Sequence, residues 1–286
     1  MSALAEKLAR LRADAGTARP AAPAAGAAAP APRPAAAPAI ASLQALRALA
    51  SARENRSRPV PLPAPAGTQI APGVHLVERA FAYPAARLID LPMLDARPIE
   101  RARLLCFDTE TTGLAGGVGT RAFMIGVAAW KEDTLRVRQL YLTSIAGESA
   151  MLEHFAGWLR DDSILVSYNG KSYDAPLLKG RFRLNRVRHR LPELPHLDWL
   201  HPVRRRYRGV YANCRLATIE REVLGIVRED DLPGAQAPAA WLAFLRGQSS
   251  RNLARVLDHN RQDVITLMRL GDHMAGLTRL QTGSPR

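Results

Sequence analysis

The sequence predicts an α/β fold in which a mixed five-stranded sheet carries helices on both faces. Three apolar segments, which begin near residues 103, 122 and 135 and are joined by short links, are typical of an antiparallel meander. An amphipathic segment at residues 148–160 then leads to a further apolar segment at residues 164–168. A helix that connects two strands of one sheet forms a crossover, so the predicted order is β-β-β-α-β.

Length and composition predict one folded domain with extensions, since the chain has 286 residues and 47% of them are hydrophobic. Lysine and arginine number 40 against 26 aspartates and glutamates, which gives a formal net charge of +14. This excess favours a polyanionic partner, and nucleic acid is the first candidate. A genome-wide bias toward arginine would produce the same composition without nucleic-acid binding.

The cysteines and the apolar segments indicate a location. Cys106 and Cys214 form neither a disulfide framework nor a zinc-binding pattern, which fits a reducing compartment. The N-terminal segment lacks the apolar stretch of an export signal, and no apolar run is long enough to span a membrane. We therefore expect a cytoplasmic protein without membrane-spanning segments.

Residues 1–72 are predicted to be a disordered tail rich in Ala and Pro, with short helical segments. Leucines recur at helical spacing within residues 2–13 and within residues 40–52, whereas residues 20–38 contain only Pro, Ala, one Gly and one Arg. So short a helix is marginal in water without a surface to pack against. The first segment could therefore dock on a protein partner, although no other feature of the sequence supports this.

The rest of the chain is predicted to consist of three segments. Residues 73–100 form a strand-rich lead-in that packs on the domain, residues 101–275 form the domain, and residues 276–286 form a C-terminal tail. After the strand at residues 164–168, the chain turns into a helix near Asp174. Further helices are expected at residues 215–224, 239–246 and 253–268.

Several acids lie where strands or helices bring them together. Asp108 and Glu110 are two residues apart in the first apolar strand, so their side chains point to the same face. Neighbouring carboxylates repel each other and lose hydration, so they need a shared proton or a divalent metal ion. The simpler alternative is a strand end whose acids face water. Asp174 lies in the turn after the fourth strand, and His259 and Asp263 face one side of the last helix.

A basic segment follows Asp174. Between residues 181 and 208, nine arginines stand against only Glu193 and Asp198. The segment is predicted to be a surface that faces phosphates, and a solvated basic face is the alternative. Asp198 is expected to hold this segment together rather than to bind a metal ion.

Three motifs carry the acids, and in order they read Phe107-Asp108-Thr109-Glu110-Thr111-Thr112-Gly113-Leu114, Tyr168-Asn169-Gly170 with Tyr173-Asp174, and His259-Asn260-x-x-Asp263-Val264. They resemble the three exonuclease motifs of the DEDD superfamily. Within that superfamily the chain is similar to ribonuclease H-like proteins of the YprB type, from about residue 73 to residue 271. The resemblance implies a ribonuclease H-like sheet and 3′-5′ exonuclease activity.

The resemblance also implies a metal site. Hydrolysis of a phosphodiester needs an activated water and stabilised charge on both reacting oxygens, which two divalent ions about 4 Å apart provide. Hard ions such as Mg²⁺ and Mn²⁺ prefer carboxylate oxygens. In the family pattern Asp108 would bridge both ions, and Glu110 and Asp263 would hold the ion that activates water. Asp174 would act mainly through the other ion or through its water shell.

His259 departs from the two main patterns of the superfamily. One branch has His five residues before the final Asp and the other has Tyr four residues before it, whereas His259 stands four residues before Asp263. At this spacing the imidazole lies almost directly over Asp263. It could accept a proton from a metal-bound water as a general base, or only orient Asp263 through a hydrogen bond.

Candidate substrate contacts surround these acids. By the resemblance, the backbone after the first motif and the Leu114 side chain hold the 3′ end, although a plain turn explains Gly113 equally well. Asn169 is expected mainly to fix the turn before Asp174. The predicted substrate-binding residues are Thr112, Gly113, Leu114, Asn169, Tyr173, Arg204, Arg205 and Arg206.

The sequence therefore predicts a metal-dependent nuclease, a 3′-5′ exonuclease that uses two Mg²⁺ or Mn²⁺ ions on the 3′ end of single-stranded DNA or RNA. One alternative is a nucleic-acid-binding module that keeps the fold but has little or no catalysis, and another is a structure-specific endonuclease. Acids at all four positions favour the enzyme, because a binding module has little reason to keep a costly carboxylate cluster. No residue distinguishes DNA from RNA.

Overall fold

The structure, a computed structural model, describes residues 66–113 and 119–282, with side chains to residue 277. Leu114 and the chain before residue 66, with its two predicted helices, lie outside the described residues. The strands of the described part are β1 (Thr68–Ala71), β2 (Val74–Ala82), β3 (Leu88–Ile89), β4 (Ile99–Glu100), β5 (Leu104–Thr111), β6 (Ala122–Lys131), β7 (Thr134–Leu142), β8 (Ile164–Ser167) and β9 (His196–Asp198).

Within the described residues, helices form at the positions predicted from periodicity. One further helix, which follows β9, was not predicted. A π-helical turn, Glu220–Leu224, completes the predicted helix 215–224. In the described part of the chain, no helix combines the length and the apolar character needed to cross a membrane. The α-helices are α1 (Glu148–Ala156), α2 (Asp174–Asn185), α3 (Leu200–Tyr207), α4 (Leu216–Ile219), α5 (Ala237–Leu245) and α6 (Arg251–Thr282).

Seven strands form one mixed sheet in the order β1-β2-β7-β6-β5-β8-β9, and β3 pairs separately with β4. β5, β6 and β7 are consecutive antiparallel neighbours, which confirms the predicted meander. β8 pairs with β5 in parallel, with Leu104 opposite Ile164, and β9 is parallel to β8. The predicted α/β fold class is confirmed, and β5 lies inside the sheet with a paired strand on either side.

The sheet has seven strands instead of the predicted five, because the lead-in and a short segment after α2 join it. β2 pairs with β7 from Val74 opposite Leu142 to Ala82 opposite Thr134, and β1 pairs with β2. At the other edge, β9 pairs with β8. These strands satisfy backbone groups that β7 and β8 would otherwise leave unpaired. Local sequence patterns do not reveal such long-range pairing.

Two boundaries differ from the prediction. β1 lies inside the range predicted as the N-terminal tail, and the Tyr141 hydroxyl donates a hydrogen bond to the Ala66 carbonyl oxygen at 2.6 Å. α6 extends to Thr282, past the predicted end of the domain at residue 275, because Met274 and Ala275 are still buried against the sheet. A strand of four residues is too short to be recognised from periodicity, and so are the few residues by which the last helix continues.

Apolar side chains pack on both faces of the sheet. On one face the Phe155 ring lies 6.4 Å from that of Phe107 and 6.1 Å from that of Phe182, and Trp241 stacks on Phe123 at 4.9 Å. Full burial of a large apolar side chain stabilises a fold by about 1.5–3 kcal/mol. These contacts fix α1, α2 and α5 against this face.

α6 takes part in both apolar layers. Leu253 and Val256 belong to the first layer, which contains Phe155. Val264 and Leu267 belong to the second layer, on the other face of the sheet. In the second layer the buried Trp199 donates a hydrogen bond from Nε1 to the Leu267 carbonyl oxygen at 3.2 Å. The residues of α6 between these two sets are therefore held beside β5, where the first two acids lie.

A buried ion pair joins α1 to α2. Glu148 accepts hydrogen bonds from Nε and Nη2 of Arg181 at 2.5 Å each, and from Arg121 Nη1 at 3.0 Å. Both Glu148 and Arg181 are buried. Arg181 was counted in the predicted phosphate-facing segment, and its burial removes it from that surface, because a charged group at this position needs a buried partner.

The contact between Tyr141 and Ala66 predicts that β1 contributes to stability. A chain that begins at residue 72 lacks β1 and the acceptor of the Tyr141 hydroxyl, whereas a chain that begins at residue 64 keeps both. Because an unsatisfied buried donor costs about 1–3 kcal/mol, we expect the shorter chain to lose at least about 1 kcal/mol in free energy of unfolding. Urea unfolding monitored by circular dichroism measures the difference.

Tyr141→Phe is the matched control for this prediction. It should lower the stability of the longer chain and have little effect on the shorter chain, where the hydroxyl has no carbonyl partner. An equal effect of Tyr141→Phe in both chains would contradict a contribution from this hydrogen bond.

Candidate active site

Asp108 and Glu110 lie near the C-terminal end of β5, in the middle of the sheet. Asp108 is opposite Gly126 of β6, and Glu110 is opposite Met124. α6 packs against this part of β5. Glu110 is buried, with 8% of its surface exposed, and Asp108 is partly buried. The two carboxylates are therefore largely withdrawn from water.

Asp174 is the first residue of α2, and the loop before it is held by Asp198. Asp198 is buried and accepts hydrogen bonds from the backbone N–H groups of Asn169 at 2.7 Å and Lys171 at 3.0 Å. Asn169 has a φ of +67°, a left-handed conformation that Asn tolerates better than most residues. The Thr109 hydroxyl donates a hydrogen bond to Asp174 Oδ1, which ties Asp174 to β5.

A buried amide network positions Asp108. Asn260 of α6 donates from Nδ2 to Asp108 Oδ2 at 3.0 Å, and its Oδ1 accepts from Gln139 Nε2 at 2.9 Å. Gly126 makes room for this amide, because a Cβ at that position would lie 2.0 Å from Asn260 Oδ1. The sequence alone predicts no role for these residues. The available signals are a Gly and a Gln inside apolar strands and the Asn that follows His259.

Arg228 lies beside Asp263 and is held by a second acid. Its Nε and Nη2 donate to the two carboxylate oxygens of Glu220 at 2.6 and 2.7 Å, and Nη2 also donates to Asp263 Oδ1. Glu220 lies in the π-helical turn, is 1% exposed, and accepts a further hydrogen bond from the Thr266 hydroxyl at 2.5 Å. The guanidinium is therefore fixed, and it neutralises part of the Asp263 charge.

His259 lies over Asp263, as the helical spacing predicts. Its Nε2 is 3.5 Å from Asp263 Oδ2, and its Nδ1 is 2.6 Å from Asp231 Oδ1 and 3.1 Å from Arg228 Nη1. Burial lowers the pKa of His259, but the nearby carboxylates, Asp263 foremost, outweigh it and raise the pKa above its usual value. When Nδ1 carries a proton it donates to Asp231, and it then cannot accept a hydrogen bond from Arg228. We therefore assign the Nδ1 hydrogen bond to Asp231 rather than to Arg228.

Burial and mutual repulsion raise the pKa of three acids. The pKa of Asp108 is well above its usual range, first because of burial and then because of the charges of Asp263, Asp174 and Glu110. Burial raises the pKa of Glu110 to about 8, although His259 opposes the shift. Burial also raises the pKa of Asp174 to about 6, against the hydrogen bond from Thr109. The cluster therefore retains protons near neutral pH unless a cation replaces them.

The donor set fits hard divalent cations in its chemistry. Asp108, Glu110, Asp174 and Asp263 supply carboxylate oxygens, and their charges raise the pKa of Asp108 because they are close together. Among residues 66–113 and 119–277, however, no three side chains of the usual ligand types are yet close enough to hold one ion.

A cleft of about 700 Å³ opens beside Asp108 and Asp174. Three predicted substrate residues line it, namely Gly113, Asn169 and Tyr173. Arg215 also lines the cleft, and sequence analysis did not single it out because it lies outside the arginine-rich segment. The remaining lining residues are Thr109, Thr111, Thr120, Tyr168 and Leu177.

The other predicted substrate residues lie elsewhere. Thr112 closes the loop by accepting a hydrogen bond from the Arg121 backbone N–H on its hydroxyl at 3.0 Å, and it does not line the cleft. Arg204, Arg205 and Arg206 are exposed on α3 and also lie outside the cleft lining. Their exposure agrees equally with the phosphate-facing surface and with the solvated basic face.

The comparison with family models identifies the fold family. Residues 105–275 match a family model described as RNase_H superfamily. The chain belongs to the ribonuclease H superfamily. All four acids and His259 lie in the matched range, and the predicted resemblance to ribonuclease H-like proteins is confirmed.

One curated relative of this superfamily member is "Uncharacterized protein YprB" from Bacillus subtilis strain 168, which is 39% identical over 196 residues. The match covers 68% of this chain and 47% of the relative, so the chain spans about half the length of the relative.

Solved structures with a similar fold are more distant. The family B DNA polymerase of Pyrobaculum calidifontis matches 70% of this chain and 28% of its own, with a TM-score of 0.48 and 13% identity. Product-bound exonuclease I matches 55% of this chain and 46% of its own, with a TM-score of 0.37 and 15% identity. An E. coli exonuclease I complex with single-stranded DNA matches 58% and 39%, with a TM-score of 0.37 and 12% identity.

The raised pKa values predict a pH-dependent stability. A carboxyl whose pKa is higher in the folded than in the unfolded state contributes stability at pH values below its unfolded pKa, and this contribution is lost as pH rises through the folded pKa. Since the pKa is about 8 for Glu110 and about 6 for Asp174, the Tm of the metal-free protein should fall between about pH 5 and pH 8. Differential scanning calorimetry in EDTA measures this fall.

Divalent cations should reverse that fall, because they replace the protons of the cluster. Mn²⁺ should raise the Tm more at pH 8 than at pH 6, and its apparent affinity should increase about tenfold per pH unit for each proton released. Asp108→Asn removes one of the repelling charges and should flatten the dependence of Tm on pH in EDTA. A Tm in EDTA that does not change over this range would contradict the charge coupling of the cluster.

Proposed function

We propose that this chain is a metal-dependent nuclease that hydrolyses phosphodiester bonds as a 3′-5′ exonuclease of the DEDD type. The observation that carries the proposal is the mutual repulsion of four acids, since the charges of Asp263, Asp174 and Glu110 raise the pKa of Asp108. Two of the four, Asp108 and Asp174, line one cleft. Like charges at this density are costly unless cations join them, and cations are what phosphodiester hydrolysis requires. Membership of the ribonuclease H superfamily supports the same reaction class.

The four acids would hold two Mg²⁺ or Mn²⁺ ions, which supply an activated water and stabilise charge on the attacking and leaving oxygens. Other side chains of this chain orient the acids. Asn260 holds Asp108, and the Thr109 hydroxyl holds Asp174. Such orientation limits the rearrangement that metal binding requires.

The proposed substrate is the 3′ end of a single strand of DNA or RNA in the cleft. Tyr173 lines the cleft with 56% of its surface exposed, so its ring is available to stack on a base. Arg215 supplies a positive charge for a phosphate. Arg204, Arg205 and Arg206 would contact phosphates further along the strand, on the exposed side of α3.

His259 is proposed to accept the proton of the attacking water. Its Nδ1 is engaged by Asp231, which leaves Nε2 on the side of Asp263. In the metal-free protein its raised pKa favours the protonated form, which cannot accept a proton. The positive charge of bound ions opposes this protonation, so the base would become available only when the metal is bound.

A nucleic-acid-binding module without catalysis is the second candidate. Two observations favour it. Arg228 donates a hydrogen bond to Asp263, and in the described residues no three side chains of metal-ligand type lie close enough together to hold one ion. If Arg228 retained Asp263 in the presence of metal, the protein could bind a strand without cleaving it.

End-labelled oligonucleotides distinguish these candidates. We expect purified protein with Mn²⁺ or Mg²⁺ to give a ladder that shortens from the 3′ end, and EDTA to abolish it. Parallel DNA and RNA substrates identify the preferred nucleic acid, because only the sugar differs. Internal cuts would indicate an endonuclease, and binding without cleavage would indicate the module.

Asp108→Asn is expected to abolish hydrolysis while the fold and strand binding remain. The substitution keeps the size of the side chain but removes a charged metal ligand, which should cost about a thousandfold or more in rate. Single-turnover cleavage rates and fluorescence anisotropy measure the two properties. Cleavage at the native rate would refute the metal site.

His259→Ala is expected to lower turnover by about 10²- to 10⁴-fold with little change in Mn²⁺ affinity, because a proton acceptor is lost while the ligands remain. His259→Tyr should recover part of the rate, since a Tyr occupies this spacing in one branch of the superfamily. Turnover and Mn²⁺ affinity are measured for both variants. A near-normal rate in His259→Ala would exclude the base, and a collapse of Mn²⁺ affinity would assign His259 to orienting Asp263.

A further inference from the structure

A second cavity lies at the end of the sheet opposite the acids. It has a volume of about 540 Å³ and is lined by Leu104 and Leu105, which begin β5, and by Ala129 and Trp130, near the end of β6. Leu104 precedes Asp108 by four residues, which places the cavity wall about 13 Å along the strand from that acid. The cavity is thus separate from the proposed catalytic cleft.

The cavity is strongly basic. Two acids, Glu100 and Glu132, stand among its lining residues, so the lining has an excess of four positive charges. All of its cations lie outside the arginine-rich segment 181–208, which is why sequence analysis did not find them. The basic side chains are Arg87, Arg103, Lys131, Arg136, Arg138 and Arg160.

Arg87 and Arg160, called the rim cations here, are exposed and form only weak ion pairs. Arg87 pairs with Glu100 at 2.7 Å, but 76% of the Arg87 side chain and 46% of the Glu100 side chain are exposed. Arg160 pairs with Asp162 at 2.7 Å and is similarly exposed. Exposed pairs of this kind contribute only about 0–1 kcal/mol, so an incoming anion can replace the acid at little cost.

Arg138 is the least satisfied cation of the cavity. Its guanidinium lies 4.1 Å from the centre of the Trp158 ring, and its Nε is buried without a hydrogen-bond partner in the described part of the protein. Burial lowers the pKa of Arg138, and Glu78 opposes this shift. The side chain lines the cavity, so the stacked guanidinium can donate N–H groups to an anionic oxygen there.

Trp158 gives the cavity an exposed aromatic surface, whereas the Trp130 ring is buried, with 7% of its surface exposed. Trp158 is partly exposed, and Trp130 is fixed by a hydrogen bond from Nε1 to the Tyr83 carbonyl oxygen at 2.9 Å. The other two tryptophans, Trp199 and Trp241, are fully buried in the apolar layers. An aromatic ring beside several cations matches a base joined to a phosphate better than it matches the carboxylate side chains of an acidic peptide, because Asp and Glu have no ring to stack.

We propose that this cavity is a second nucleic-acid-binding site, which takes one phosphorylated nucleoside unit with its phosphate on Arg138 and the rim cations and its base against the part of the Trp158 ring that Arg138 leaves exposed. The unit is either part of a strand or a free mononucleotide. Binding at this second site does not depend on hydrolysis in the cleft, because the two cavities share no residue.

The test uses the full chain with Asp108→Asn in EDTA, so that no ligand is cleaved. Adenosine and deoxyadenosine monophosphate, a ten-residue oligothymidylate and inorganic phosphate are titrated by calorimetry, and tryptophan fluorescence is recorded in parallel. We expect saturable nucleotide or strand binding that quenches fluorescence, and a loss of at least about tenfold in affinity in Arg138→Gln and in Trp158→Phe.

Two further variants keep the test decisive. Arg160→Gln changes an exposed rim residue, so it should weaken binding without affecting folding. Arg246→Gln is the matched control, because Arg246 is exposed at the end of α5 and lines neither cavity. Thermal unfolding verifies that each variant is folded.

The ligand series identifies the source of the bound unit. Tighter binding of the monophosphates than of the oligothymidylate indicates a free nucleotide, and the reverse order indicates a strand. The proposal is overturned if Arg138→Gln, Trp158→Phe and Arg160→Gln all bind like the parent protein, or if inorganic phosphate binds as tightly as the nucleotides.

Discussion

The repulsion among the carboxylates around β5 is the constraint on which the site depends. Asp108 and Glu110 are placed by a central strand that cannot move, because it is paired on both sides and covered on both faces. Asp174 and Asp263 approach from α2 and α6. The packing energy of the two apolar layers therefore offsets the cost of bringing these charges together.

The metal-free protein limits that cost in two ways. Protons remain on the carboxyls whose pKa is raised, and Arg228 neutralises part of the charge of Asp263. The buried Glu220 holds Arg228 in turn, so this guanidinium has a fixed counter-charge. The π-helical turn that carries Glu220 is a local departure from α-helical geometry of the kind often found at functional sites.

Sequence patterns predicted the parts of this structure that depend on local order. The meander, α1, α6 and the positions of the acids follow from periodicity and from motifs that lie within single elements. The joining of β1 and β2 to the sheet and the roles of Asn260 and Arg228 depend on contacts between distant segments. Gln139 illustrates the difference, because the hydrogen bonds that explain this buried polar residue reach Asn260 and the Leu257 carbonyl oxygen, and the bond to Asn260 spans 121 positions of the chain.

The double role of α6 has a consequence for the order of folding. The meander is built from near neighbours in sequence, whereas α6 brings Asn260 and Asp263 to a strand that was synthesised about 150 residues earlier. Contacts of such long sequence separation form slowly, because a large loop must close first. We expect the sheet to be in place on the ribosome before the last carboxylate arrives. A chain still in synthesis would then carry only an incomplete acid cluster, and the full set of four carboxylates would exist only after the last helix has docked.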